Sequence, residues 1–311
     1  GSLNLTGGTV MVTEDSASDL AGVIASALTL TSAGDVTDSG NLTVSGATTV
    51  TNSSGDLTLD STGNTFGTVA LTSAEDVAVV SSAALSGTVT GSTLQAKAVA
   101  GVSLDTVVTK LAATSASGDL EVTNTGALTI AEFTDGPKLN GVSITAGSTG
   151  DGIKLIAKSP IRVDAPVTNN AGAVTLAATG DTAADTLVVN ATVSTGGTDS
   201  TATIDLYAGG SITLNPTTAL SSSNTANIQF STNYDAATGT TSQGNVGSTV
   251  TISTSSISGG LSVAGYGGVG LNVDSNARVQ TTTQDQVADY FNALEPLLEV
   301  ANEWDASDAG T

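Results

Sequence analysis

Along this chain the apolar residues form neither long runs nor continuous helical stripes. They recur as triplets in which two apolar residues flank a polar or small one, such as Leu28-Thr29-Leu30, Leu42-Thr43-Val44, Leu57-Thr58-Leu59, Val69-Ala70-Leu71, Leu120-Glu121-Val122, Ile161-Arg162-Val163 and Ile212-Thr213-Leu214. Alternation over three residues turns two side chains to one face and one to the other, so each triplet predicts a short half-buried strand. The segments between them carry Ser, Gly, Asn and Asp, the residues of sharp turns.

The spacing of the triplets carries the next step. Several neighbours start eight residues apart, among them Val69 and Val77, Leu120 and Leu128, Ile153 and Ile161, Ile204 and Ile212, and Leu261 and Val269. Eight residues hold a strand and a corner, and the gaps between such pairs are longer and variable. Two close strands and one distant strand per circuit give a repeat of about 25 residues, which predicts a solenoid. Up to Val273 this makes roughly ten coils and, at about 4.8 Å per stacked strand, a rod ~50 Å long. The fold expected is therefore all-β, a right-handed parallel β-helix. The alternative is an antiparallel sandwich, for which Asp135-Gly136, Asn140-Gly141 and Asp151-Gly152 are the hairpin signals.

The two ends depart from the pattern. In "EDSASDLAGVIASAL", Leu20, Ile24 and Ala27 stand at helical spacing, while the same residues also suit a loop with a weak strand. After Thr283 the period changes: Thr283 and Gln286 have capping-box spacing, and Val287, Phe291, Leu294, Leu298 and Ala301 fall on one stripe, with Pro296 positioned to kink it. The chain thus divides into a β-solenoid rod, 1–282, and a short C-terminal helix and tail, 283–311, acting as cap or assembly joint. Gly1-Ser2 reads as a cloning scar and Leu3-Asn4-Leu5 as a strand in mid-repeat. A longer parent chain, or head-to-tail self-association through the uncovered first strand, is the expectation.

Composition narrows the chemistry. Of 311 residues 39% are hydrophobic but only 3% aromatic, so the core must be aliphatic, and Gly counts 36 against 5 Pro. Cys and His are both absent, which removes disulfides, thiolate nucleophiles, most zinc sites and imidazole catalysis. Seven basic against 29 acidic residues give a net charge of −22, so a phosphate backbone is repelled and no nucleic-acid partner is expected. Six of the seven bases lie between Lys97 and Arg162, interleaved with acids. No apolar run is long enough for a membrane-spanning helix.

Three kinds of chemistry remain to be weighed. A β-helix can carry polysaccharide-cleaving carboxylates on an outward strand face, and Glu121, Asp205, Lys154 and Arg162 hold such positions. Against this stands the missing aromatic platform for a sugar. "GYGGVGLNVDS", Gly265 to Ser275, approaches a calcium-binding glycine-rich repeat but occurs once and has Asn272 where Asp is required; with "EDSASD" it leaves room for weak calcium binding only. Thr29, Thr43, Thr58, Thr129, Thr175, Thr213 and Thr251 are triplet centres, and a threonine ladder can bind glycans or ice, although Ala70, Glu121, Ser143, Lys154, Arg162 and Asp205 interrupt it.

The segments "GDLTLDSTGN", "GDLEVTNTGALTI" and "GAVTLAATGD" resemble the shafts of bacterial filamentous-haemagglutinin-like and autotransporter-passenger proteins. The resemblance covers most of the chain up to Val273 and rests on repeat style and composition; neither the family's secretion region nor an outer-membrane barrel is recognisable. It implies a right-handed parallel β-helix at the bacterial cell surface or outside the cell. The resulting expectation is a non-catalytic structural rod of an adhesin or extracellular filament, with no catalytic, cofactor or metal residues assigned and a host or surface glycan as candidate partner.

Overall fold

The computed structural model describes residues 2–180, 182–196 and 202–215, and beyond them the strand segments 219–222, 227–231, 234–235, 240–241, 249–252, 256–258, 260–263, 270–273 and 279–280. Among the described residues the fold is all-β with no helix, and 27 strands join in one sheet whose pairings run parallel. The helical stripe at 283–304 lies outside the described residues, as does most of the Gly265–Ser275 segment, of which Gly270–Val273 is a strand.

The pairing resolves into three ladders around a shared core. On the first, Val36, Leu57, Val77, Leu94, Leu111, Ile130, Val163, Val189 and Leu214 lie directly over one another, each at most 1% exposed. From Ser2-Leu3 to Gly270–Val273 this ladder has thirteen rungs. The second ladder includes Val142–Ile144, Val167–Asn169 and Val193–Thr195 in register. The third runs through Leu28, Thr48, Val69, Gly87, Leu104, Val122, Leu155, Leu176 and Leu206. Leu, Val and Ile from all three form one continuous cluster, in which Phe66 is the sole aromatic among the described residues. Like stacks on like, so the same small rotamers pack rung after rung.

Circuit length changes along the chain. Up to Ile130 the first ladder is regained every 17 to 21 residues, then after 33, 26 and 25. The expected repeat of about 25 holds for the second part and overstates the first. There, strands such as Leu42–Asn52 and Lys110–Asn124 bend from one ladder into the next through a register shift, with no loop between. Gly118, at the register shift between Ser117 and Leu120, shows what such bends require: its φ is +74°, and a Cβ there would meet the Ala100 carbonyl oxygen at 3.0 Å.

The segment with helical spacing near the N-terminus is a strand, Ser18–Ser32. Val23 and Ala25 are buried on either side of Ile24, which is 63% exposed; that is the alternation of a strand, and the register shift between Leu20 and Gly22 sets Leu20 and Ile24, four residues apart, on opposite faces. The sandwich signals mark something local. Between Ile130 and Val142, residues 131–141 form a small antiparallel hairpin: Phe133 N–H donates to Leu139 O at 2.8 Å, and Lys138, at φ +55°, closes the turn on Asp135 O at 3.0 Å. Buried Gln95 ties this hairpin down, its Nε2 donating to Asp135 O at 3.0 Å and its Oε1 accepting from Leu139 N at 3.1 Å.

Buried asparagines turn the corners. Asn52, Asn124 and Asn169 each end a strand of the sheet, and each donates from Nδ2 to carbonyls of the turn that follows, Gly55 O at 2.9 Å, Gly126 O at 3.1 Å and Ala173 O at 2.8 Å. Inside a dry corner such bonds satisfy backbone groups that no strand reaches.

Candidate functional site

The outward side chains of the third ladder bring together part of the charged set read from the sequence. Ser86, Ser103, Glu121, Lys154, Thr175 and Asp205 are successive in register. Lys154 Nζ lies 3.1 Å from Glu121 Oε1, both half-exposed. Asp205 stands three rungs beyond Glu121, about 14 Å at the strand spacing. That exceeds the separation a pair of glycosidase carboxylates uses. Burial pushes the Asp205 carboxyl above its ordinary range, against a hydrogen bond from Thr203 Oγ1 at 2.8 Å.

Arg162 belongs elsewhere. It projects from the first ladder and pairs with Asp164, Nε to Oδ2 at 2.7 Å. Asn190 Nδ2 donates to the other Asp164 oxygen at 2.6 Å, and Asn215 Nδ2 donates in turn to Asn190 Oδ1. A modest burial cost is outweighed by the hydrogen bonds from Arg162 and Asn190 and by the guanidinium charge, so Asp164 is held below the usual carboxylate range. The four candidates thus fall into one ion pair, one remote carboxyl and one corner brace.

An open cleft on the third ladder, about 420 Å³, is lined by Ser86, Gly87, Thr88, Ser103, Asp105, Glu121 and Thr123. Asp105 was not singled out by the triplet pattern because the inward residue after it is Thr106, not an apolar one. Thr106 is 2% exposed and spends its hydroxyl on Asn124 Oδ1 at 2.9 Å. Asp105 and Glu121 are therefore two carboxylates on one cleft wall, facing water.

Other acids brace corners. Asp35 Oδ1 accepts from Asp56 N at 3.1 Å and Asp56 Oδ1 from Asp76 N at 3.2 Å, so each carboxylate caps the strand start one circuit on. Asp19, in the segment read as a weak calcium loop, accepts from Ser39 N at 3.0 Å and Ser39 Oγ at 2.9 Å. Asp38 accepts from Asn64 Nδ2 at 2.6 Å and from the amides of Asp60 and Ser61; burial nonetheless raises its pKa. Among the described residues no group of three or more Asp or Glu is arranged to hold a metal ion.

The triplet-centre threonines are divided among the ladders and make no single array. Thr58, Thr129, Thr213 and Thr251 lie on the first and Thr29 and Thr175 on the third, while Thr43 pairs with Ile24 and Thr65 ahead of the register shift in its strand.

Comparison with known proteins places residues 7–73 in a match to a family described as repeats of unknown function (DUF5649). No curated protein and no solved structure matches the chain. Among the described residues no helix is long and apolar enough to cross a membrane.

Proposed function

We propose that the three ladders wind as a right-handed parallel β-helix and that the chain is a non-catalytic structural rod of a bacterial cell-surface adhesin or extracellular filament, of the filamentous-haemagglutinin-like or autotransporter-passenger kind. The observation that carries this reading is the thirteen-rung first ladder, in which aliphatic residues stack in register without interruption from Val36 to Val273. Length is what such a stack supplies: twelve steps at the strand spacing make a shaft of about 60 Å. Side chains on the outside are free to vary, which suits display of sites for a surface glycan or other receptor.

Small-angle scattering and negative-stain images test the shape. An elongated particle with a cross-section near that of one coil is expected, and a compact sphere would overturn the rod. Antibody labelling of intact source cells tests the location, and internal-only signal would overturn it.

A second reading is favoured by the cleft between Asp105 and Glu121, whose carboxylates and hydroxyls could engage a polysaccharide. Turnover of any acidic or neutral polysaccharide that disappears in both Asp105→Asn and Glu121→Gln would establish it over the rod alone.

A further inference from the structure

The register of the third ladder exposes an array that triplet centres do not disclose. Over five successive rungs the outward pairs are Met11 and Thr13, Thr29 and Thr31, Thr49 and Thr51, Ala70 and Thr72, and Thr88 and Thr90, aligned in two columns. The second column is threonine throughout, and all five of its members are exposed. Between each pair a residue points inward, and Leu30, Val50, Leu71 and Val89 are each at most 1% exposed. The hydroxyls and methyls therefore repeat at about 4.8 Å across the rungs and about 6.6 Å along each strand, on a backbone held by a dry core.

None of the ten positions is charged, in a chain of net charge −22. The pattern stops at the sixth rung, where Thr88 is followed by Asp105 and Thr90 by Val107. Eight aligned threonines are poorly suited to packing against a second protein, because burying hydroxyls without partners is costly. They are well suited to keeping water at fixed intervals: each hydroxyl anchors a water, each methyl leaves a neighbouring gap, and the spacing is close to the oxygen repeat of an ice surface. Glycan recognition, in contrast, draws on aromatic stacking and charged or amide acceptors that these columns lack.

We propose that this face of the third ladder, from Thr13 to Thr90, orders water into an ice-like layer and adsorbs to ice. The role is separate from that of a structural rod and needs only the observed register.

The intact protein, Thr31→Lys/Thr51→Lys, and a control Thr58→Lys on the first ladder are compared for thermal hysteresis and for inhibition of ice recrystallisation. Circular dichroism verifies that all three fold alike. The expected result is activity in the intact protein and the control, and loss of most of it in the double variant; Thr31→Val/Thr51→Val, which keeps the shape, tests the hydroxyl contribution if the lysines disturb folding. Activity unchanged in both double variants, or no activity in the intact protein, overturns the proposal. So does a dimer in sedimentation that the double variant dissociates, or pelleting with crystalline polysaccharide that it abolishes, when ice growth is unaffected.

Discussion

Thr48 stacks directly on Leu28 in the third ladder, fully buried, with its hydroxyl oxygen meeting no hydrogen-bond partner. An unsatisfied buried hydroxyl costs about 1–3 kcal/mol. Thr48→Val, nearly isosteric, is expected to raise unfolding free energy by roughly 1–2 kcal/mol in urea titration. Thr49→Val, on the outward side of the same strand, should leave it nearly unchanged.

Gly87→Ala should be among the most damaging single changes. Its φ of +138° is unsuited to an L side chain, and the added Cβ would meet the Val69 carbonyl oxygen at 1.8 Å. Backbone incompatibility of this kind costs about 1–3 kcal/mol before any clash is relieved. A fall in melting temperature with early proteolysis around rungs four to six is the expected reading.

Asn124→Ala removes a corner. It would leave Val108 N without its acceptor, Thr106 Oγ1 with only its longer bond to Thr123 O at 3.4 Å, and Val108 O and Gly126 O without their donor. A loss of roughly 2–4 kcal/mol is expected, given the cost of each unsatisfied buried group. Asn124→Asp should not restore stability, because the carboxylate cannot donate to the carbonyls.

Asp205, raised by burial, and Asp164, lowered by its hydrogen bonds, give the pH dependence two opposite signs. Asp205 binds its proton more tightly folded than unfolded, so its stabilising contribution is complete below about pH 3.8, its ordinary value, and is lost as pH rises through the raised folded value. Asp205→Asn keeps an acceptor for Thr203 and should be more stable than the parent at neutral pH, with the advantage shrinking in acid. Asp164 behaves oppositely: its contribution is present above its ordinary value and disappears as pH falls through the lowered one. Asp164→Asn should therefore lose its cost on acidification, seen in melts across the acid range.

Gln95→Ala should free the hairpin at 131–141 without unfolding the ladders, since Gln95 holds Asp135 O and Leu139 N and neither belongs to a rung. Limited proteolysis is expected to cut near Lys138 in the variant first, at a melting temperature close to the parent's.

Triplets were legible because each inward pair is local: Leu57 and Leu59 announce their rung without reference to any other. Circuit length was legible where corners are loops, as from Ile161 to Leu187, and not where a glycine bend carries one strand across two ladders, as in Leu42–Asn52. Ser18–Ser32 looked helical because Leu20, Ile24 and Ala27 share a spacing, yet strand neighbours on both sides put Ile24 outside. The candidate site fared less well for the same reason. Glu121 and Lys154 became neighbours, while Asp105 was hidden by polar Thr106, and the threonine columns depend on register between residues 18 to 21 positions apart, which no single stretch of sequence displays.

The hairpin at 131–141 carries a consequence for how such chains change size. Leu111 and Ala113, two residues apart, stack beneath Ile130 and Val142, which are twelve apart, and both columns pass through unshifted. Extra chain has entered at a corner without moving a single core side chain, whereas one residue added within a rung would turn its inward face out. Corners of this kind are graft points. A foreign peptide spliced between Ile130 and Val142, in place of the native hairpin, would be carried on the outside of the sheet while the rungs on either side kept their alignment.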